Sequence, residues 1–324
     1  SDRFPNQVDF NYHERPFQLE HIDMLPGIPQ NIIDQMYQED FMSDLDTLSK
    51  IKWHTEDGID PEVMKLFQIA YYQPNGSIIL PHHNIKGEIV GLYERSFRML
   101  RKEFRKLYPD VDYKQTLFFP RAKYVPLLID PKYEDRKPNP DKSSWSFPNS
   151  FNLYGAHIAK KYIEETGEAI IFEGGKSVML AHQWGIKNCV ASHTFGCHLN
   201  HINMLYEWGA RKIYLAFDKQ YKVEDEDDTS WRLYLKKSQG IADKVKGSGG
   251  IEIRRIIDLP DTGVPLDYKD APVDKGKEKF FALLEAAKAA PPLWVPEEKP
   301  VVQIAEPQAP SPLEEDTSDT LDVP

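Results

Sequence analysis

Ala169-Ile170-Ile171-Phe172-Glu173-Gly174-Gly175-Lys176-Ser177 is an apolar run of strand length that ends in a carboxylate, two glycines and a lysine. Downstream, Ile213-Tyr214-Leu215-Ala216-Phe217-Asp218 repeats the pattern: an apolar run closed by an acid. Continuous apolar runs of this length read as strands buried on both faces, which is the signature of a parallel sheet. In an open α/β sheet, ligands collect beyond the carboxyl ends of the strands. Two acids at that edge are suited to holding a divalent metal against phosphate oxygens.

The surrounding pattern agrees. Gly155 to Glu165 reads as an amphipathic helix. Strand 169–172, helix 176–184, strand 188–191, helix 199–208, strand 212–217, helix 230–246 and strand 251–257 then alternate. Such alternation predicts βαβ units. Gly185 and Gly209 fall where helix C-caps belong. A closing helix is expected over 276–289.

The first half differs. Asn31 to Met42 has helical apolar spacing, and Asp60-Pro61-Glu62 opens a second helix with an acid as N-cap and proline in the first turn. Ser77–Pro81 and Ile89–Tyr93 read as strands joined by a turn near Asn84–Gly87. The resulting division is an unclear N-terminal segment (1–57), a basic α+β subdomain (58–150), an α/β domain (151–290) and a Pro-rich acidic tail (291–324) expected to be disordered. No internal repeat is evident.

The net charge of −11 is unevenly spread. The tail and the knot Glu224-Asp225-Glu226-Asp227-Asp228 carry acids, while Lys86 to Lys123 is basic. Arg95, Arg98, Arg101 and Lys102 recur at helical spacing, and Phe118, Phe119 and Tyr124 stand beside Arg121 and Lys123. Basic residues interleaved with aromatics suit a single-stranded nucleic acid, by phosphate contact and base stacking. No run approaches a membrane span, and Ser1-Asp2-Arg3-Phe4-Pro5 has no signal-peptide pattern. The missing initiator Met reads as a processed, tagged or excised chain. Two cysteines, Cys189 and Cys197, cannot make a disulfide framework, and a reducing cytoplasm is expected. The group His193, Cys197, His198 and His201 lacks C-x-x-C spacing, so no zinc is expected.

Glu173 and Asp218 are the candidate catalytic and metal-binding acids. Asp267, Asp270 and Asp274, on the loop after the last strand, are candidates for further coordination at the same edge. Lys176 is a candidate phosphate contact at a helix start.

These residues resemble the catalytic core of bacterial-type (DnaG-type) DNA primases, especially those of phages. Glu173-Gly174 matches the family's strand-ending Glu-Gly. Asp218 matches the first acid of its Asp-x-Asp, and Lys269-Asp270-Ala271-Pro272-Val273-Asp274 resembles its third acidic cluster. Ile79-Leu80-Pro81, Gly87 to Gly91 with Arg95, Lys123-Tyr124 and Leu153-Tyr154-Gly155 also match, so the resemblance spans residues 58 to 285. Ser177, Gln220, Asn149 and Ser77 depart from the pattern, and the first two reduce the carboxylates available to metal. The resemblance implies a Toprim-like parallel sheet flanked by helices. It implies metal-dependent nucleotidyl transfer with Mg²⁺ or Mn²⁺, a single-stranded DNA template and ribonucleoside triphosphates, with a replicative helicase or single-strand-binding protein as a candidate partner. Glu173 would be a metal ligand or base, Asp218, Asp270, Asp274 and Asp267 would ligate metal, and Arg95 and Lys123 would hold phosphates. A non-catalytic replisome adaptor and a Toprim nuclease are the alternatives.

Overall fold

In the computed structural model of the chain, residues 25, 27–96, 123–127, 147–222, 227–245, 250–257 and 263–293 are described. Arg98, Arg101, Lys102, Arg121, most of the 130–150 loop, residues 224–226 of the acidic knot and the tail from 294 lie outside them.

Two sheets organise these residues. The first is antiparallel and follows chain order: β1 (Phe41–Met42), β2 (Ala70–Tyr72), β3 (Ser77–His83), β4 (Ile89–Ser96) and β5 (Tyr124–Pro126). Helix α1 (Gln30–Glu39) covers one face. The expected helix over 31–42 therefore stops at Glu39, because Phe41 and Met42 pair with Tyr72 and Tyr71 instead. Three short helices follow β1: α2 (Leu45–Leu48), α3 (Lys52–Thr55) and α4 (Pro61–Leu66). Asp60 stands at the N-cap of α4 as expected, but its side chain makes no capping bond. Its amide instead donates to Gln183 Oε1, 3.0 Å away.

Strand β3 shows why both faces of the antiparallel sheet are occupied. All seven of its residues are buried. Successive side chains point to opposite faces, so Ile79 joins Ile32, Ile33 and Met36 of α1. Ile78 and Leu80 enter a larger cluster shared with the second sheet. His82 continues their parity, ahead of a register shift at His83.

The second sheet is parallel, in the order β7 (Cys189–Ala191), β6 (Glu168–Phe172), β8 (Lys212–Ala216), β9 (Glu252–Arg255). Helices α5 (Ala156–Thr166), α6 (Gly175–Gln183), α7 (Leu199–Glu207), α8 (Thr229–Val245) and α9 (Lys277–Ala289) alternate with or follow these strands. Residue parity sorts the core. Ile170, Phe172, Tyr214 and Ala216 pack with α6, α9 and the short N-terminal helices. Ala169, Ile171, Ile213 and Leu215 pack with α5, α7 and α8. The sheet is thus covered on both faces, as its apolar runs require. Gly185 and Gly209 have φ of +97° and +86° directly after helices, the left-handed conformation expected of C-cap glycines.

Tyr154 ties the sheets together. Its amide donates to Ala191 O and its carbonyl accepts from Ala191 N, so it borders β7 as an antiparallel bridge. Its ring stacks on Phe67 at 5.8 Å and lies against the start of α6. A Cβ on Gly175 would meet that ring at 2.7 Å, whereas one on Gly174 would meet nothing within 4 Å. Alanine is the better helix former by about 1 kcal/mol, but overpacking costs about 1–3 kcal/mol. Gly175→Ala should therefore lower stability in urea unfolding. Gly174→Ser, at an open N-cap position with extended φ, should be neutral or stabilising. Equal effects from the two changes would contradict this packing.

Candidate functional site

Strands β6 and β8 are neighbours, with Phe172 opposite Ala216. The chain leaves them at the same edge, which brings Glu173 and Asp218 together. The Asp218 amide donates to Glu173 Oε1 at 3.0 Å, and Gln220 Nε2 donates to the same oxygen at 3.2 Å. Both acids line one cleft of about 470 Å³, built from the parallel-sheet edge on one side and β3 and β4 on the other.

Of the third acidic cluster, Asp274 lines this cleft. Asp267 and Asp270 do not line it. Both accept from Lys275, at 2.7 and 2.8 Å. Asp270 also accepts from the Asp267 amide, and its carbonyl accepts from the Lys219 amide at 2.8 Å, so it braces the loop.

Three lysines share the cleft. Lys176, at the start of α6, is held between Asp57 Oδ1 at 3.0 Å and Asp274 Oδ1 at 3.1 Å. Burial alone would lower its pKa, but Asp274 and Asp57 outweigh that and hold it above the usual value. Lys123 lies beside Tyr124, and its pKa is lowered by burial and then by Arg95 and Lys176. Lys269, with φ of +78°, hydrogen-bonds Gln220 Oε1. Arg95 does not line the cleft; its guanidinium stands 5.5 Å from the centre of the Tyr124 ring.

Both acids are shifted upward. Burial, then Asp218, raises Glu173 to about 7. Burial, then Asp274, raises Asp218 to about 6. Mutual repulsion between buried carboxylates has this effect, and a bound cation would reverse it.

Among the described residues, no group of three or more His, Cys, Asp or Glu side chains forms a ready metal cage. Glu173, Asp218 and Asp274 nonetheless fit a divalent ion shared with a phosphate. Mg²⁺ takes one or two carboxylates, substrate oxygens and its own waters in place of an all-protein cage. The donors are hard oxygens, the type that suits Mg²⁺ or Mn²⁺. Charge points the same way. Three carboxylates face three ammonium groups in the cleft, so a triphosphate needs further positive charge.

The other wall is aromatic. Leu80, His82 and Tyr93 come from β3 and β4, and Tyr154 and His193 from the parallel-sheet side. The His82 and His193 rings lie 4.6 Å apart and His82 and Tyr154 rings 5.2 Å apart. The Tyr154 hydroxyl, His82 Nδ1 and Asn149 Oδ1 are buried without a hydrogen-bond partner among the described residues. Each such atom costs about 1–3 kcal/mol when left unpaired.

Four of these residues are not marked as site residues by the sequence pattern: Asp57, His82, Tyr154 and Lys269. His193 carries a usable signal, since it follows β7 at the same edge as the acids. Its side chain contacts Asn152 Oδ1 at 3.3 Å and the His82 ring, while His201 contacts Asn149 O at 2.8 Å. Asp57 gives no signal, because its pairing with Lys176 spans 119 residues.

No family model matches the chain. It is 29% identical over 238 residues to an uncharacterized SPbeta prophage-derived protein of Bacillus subtilis, covering 70% of this chain and 54% of that protein. It is 28% identical over 177 residues to the DNA primase of Aquifex aeolicus, covering 50% of this chain and 32% of the primase. Among solved structures, the zinc-binding and RNA polymerase domains of the Aquifex aeolicus primase align with a TM-score of 0.51 at 20% identity, over 84% of this chain and 63% of that one. A DnaG primase catalytic domain bound to single-stranded DNA aligns with a TM-score of 0.50 at 17% identity, over 85% and 81%. The chain thus resembles DnaG-type primases and has the fold of their catalytic cores. It spans about half or less of the length of these two curated relatives.

The raised acids set a pH dependence. Cation binding needs them ionised, so Mn²⁺ affinity should fall as pH drops from about 8 to about 5, with protons released on binding near pH 6–7. Titration calorimetry in buffers of different ionisation enthalpy reads this release. In the cation-free protein, a folded pKa above the unfolded one means stability present below about pH 4.5 and lost as pH rises through about 7. Glu173→Gln should therefore be the more stable protein in urea at pH 8, and that advantage should vanish near pH 4. A pH-independent difference would show that the charge is not its cause.

Proposed function

We propose that this chain, whose fold is that of DnaG-type primase catalytic cores, carries the nucleotidyl-transfer centre of a phage-type DNA primase. It would join ribonucleotides on a single-stranded DNA template. The observation that carries this reading is the cleft in which Glu173, Asp218 and Asp274 face Lys123, Lys176 and Lys269. The prophage relative and the primase relatives support it, as does the single-stranded DNA bound to one structural relative.

In the reaction, a 3′-hydroxyl attacks the α-phosphate of a nucleoside triphosphate and pyrophosphate leaves. Asp218 and Asp274 would hold a divalent cation, with Glu173 beside them. When bound, that cation supplies Lewis-acid polarisation of the phosphoryl oxygens and charge neutralisation. Glu173 Oε1 is engaged by Asp218 and Gln220, which leaves Oε2 for the cation or for the hydroxyl proton. A carboxylate with a pKa of about 7 is suited to accept a proton at neutral pH. Lys176 and Lys123 would bind the triphosphate, and Lys269 would offset the acids from the Gln220 side. Arg95, behind Tyr124, would meet template phosphates.

One observation favours a second reading, a non-catalytic nucleic-acid-binding adaptor. Gln220 and Lys269 place an amide and a hydrogen-bonded ammonium beside the acid pair, where a second carboxylate would strengthen cation binding. Incubation with a single-stranded template, ribonucleoside triphosphates and Mn²⁺ separates the readings. Primers indicate the polymerase, cut template a nuclease, and neither an adaptor.

Glu173→Ala should abolish primer synthesis, by at least about 10³-fold for a group acting as base and ligand, while leaving the circular-dichroism spectrum unchanged. Substantial synthesis by the purified variant would refute the role. Affinity for single-stranded DNA should fall with salt, and Lys123→Ala or Arg95→Ala should each make the log–log slope shallower by about 0.7. An unchanged slope in either variant would remove that residue from the phosphate track.

A further inference from the structure

We propose that this centre takes one divalent cation rather than a pair, and that the Lys269 ammonium, held by Gln220, supplies to the phosphates the charge that a second ion would bring. This rests on the nucleotidyl-transfer reading above and sets the ion count of that same site.

The first observation is how few carboxylate lone pairs the cleft leaves open. Two-ion centres hold their ions about 3.5–4 Å apart, and each ion takes one or two carboxylates beside the substrate oxygens. Glu173 Oε1 accepts from the Asp218 amide at 3.0 Å and from Gln220 Nε2 at 3.2 Å. A carboxylate oxygen has about two lone-pair sites, so Glu173 can face an ion only through Oε2. Asp274 accepts from Lys176 through Oδ1 at 3.1 Å and from the Ala271 amide through Oδ2 at 2.9 Å. Asp267 and Asp270 pair with Lys275 and do not line the cleft. Asp218, Glu173 Oε2 and the remaining lone pairs of Asp274 make a donor set for one ion, with water and phosphate oxygens completing its shell.

The second observation is the direction of the Gln220 amide. Its Oε1 accepts from Lys269 Nζ, while its Nε2 donates to Glu173. An ammonium carries donors only, so Lys269 takes the amide oxygen and turns the N–H side toward the acid. Residue 220 therefore shows Glu173 a donor, and its side-chain oxygen is already bound by a positive charge. Neither atom invites a metal ion.

The third is how the ammonium is placed. Lys269 lines the cleft with Glu173 and Asp218. Its backbone has φ of +78°, a conformation uncommon outside glycine. Its amide donates to Lys219 O at 2.8 Å, and the Lys219 amide donates to Asp270 O at 2.8 Å. The side chain thus starts from a tethered loop. Lys176 is shared between two carboxylates, Asp57 and Asp274. Lys269 is held by a neutral amide, so the bond that positions it does not cancel its charge.

The test counts ions. The full chain is loaded with Mn²⁺ and α,β-methylene adenosine triphosphate, whose α–β bridge resists cleavage, and electron paramagnetic resonance reads the bound metal. The wild type should hold a single nucleotide-dependent Mn²⁺ with the spectrum of an isolated ion. The double variant Gln220→Asp with Lys269→Ala offers a carboxylate without the ammonium. It should take a second Mn²⁺ and give the spin-coupled spectrum of ions about 4 Å apart. Lys269→Ala alone leaves residue 220 without a carboxylate. In calorimetry with Mn²⁺ it should bind tripolyphosphate about tenfold more weakly, the loss of one charge-assisted contact, and Lys269→Arg should retain the affinity. A coupled pair in the wild type would overturn the inference and leave the nucleotidyl-transfer reading standing. So would a double variant that stays at a single ion, or unchanged tripolyphosphate affinity in Lys269→Ala. A wild type with no nucleotide-dependent Mn²⁺ would overturn both.

Discussion

A parallel sheet buried on both faces leaves polar chemistry one place to emerge, its ends. Residues 169–172 and 213–216 are apolar on both parities because helices cover both faces. The first acids the chain can place after them are Glu173 and Asp218. They meet because β6 and β8 are adjacent and in register, and the Asp218 amide locks Glu173 Oε1 at 3.0 Å. That bond has a consequence for charge. The bond itself favours the charged Glu173, but burial and then the neighbouring carboxylate outweigh it and disfavour ionisation of both acids. A cation shared with a polyanion would offset that penalty and favour the ionised acids.

This part of the architecture was legible in the sequence because its cause is local. Apolar runs, alternating helices and C-cap glycines are set by neighbours in the chain, and the observed strands and helices fall within a few residues of the expected ones. The places where sequence pattern misleads are those set by distant partners. Met42 carries helical spacing but pairs with Tyr71. Asp60 is the N-cap of α4 as its composition suggests, but its side chain makes no capping bond and its amide donates to Gln183. Asp270 lies on the same loop after the last strand as Asp274, but it pairs with Lys275 and does not line the cleft. Side-chain direction within a loop has no periodicity to betray it.

The positive charges follow the same division. Lys176 is foreseeable at a helix start after Glu173-Gly174-Gly175, and its partner Asp57 is not. Asp57 precedes α4 in the N-terminal part of the chain, where sequence pattern assigns little. Leu48, Trp53 and Ile59 from that part are buried in the same cluster as Phe172 and Tyr214. Residues that look like a separate preamble therefore complete both the core beneath the parallel sheet and the ionic network at its edge.

The cleft itself belongs to neither sheet. The parallel sheet supplies acids and lysines, and β3 and β4 supply Leu80, His82 and Tyr93. Tyr154 lies at their junction, where it pairs with Ala191, stacks on Phe67 and packs on Gly175. One buried ring at that junction thus touches the parallel-sheet edge, the start of α6 and the aromatic wall. Positioning of reacting groups is worth several kcal/mol of a barrier only where geometry is held this closely. Tyr154, which lines the cleft on its aromatic side, thus also packs against the start of the helix that carries Lys176.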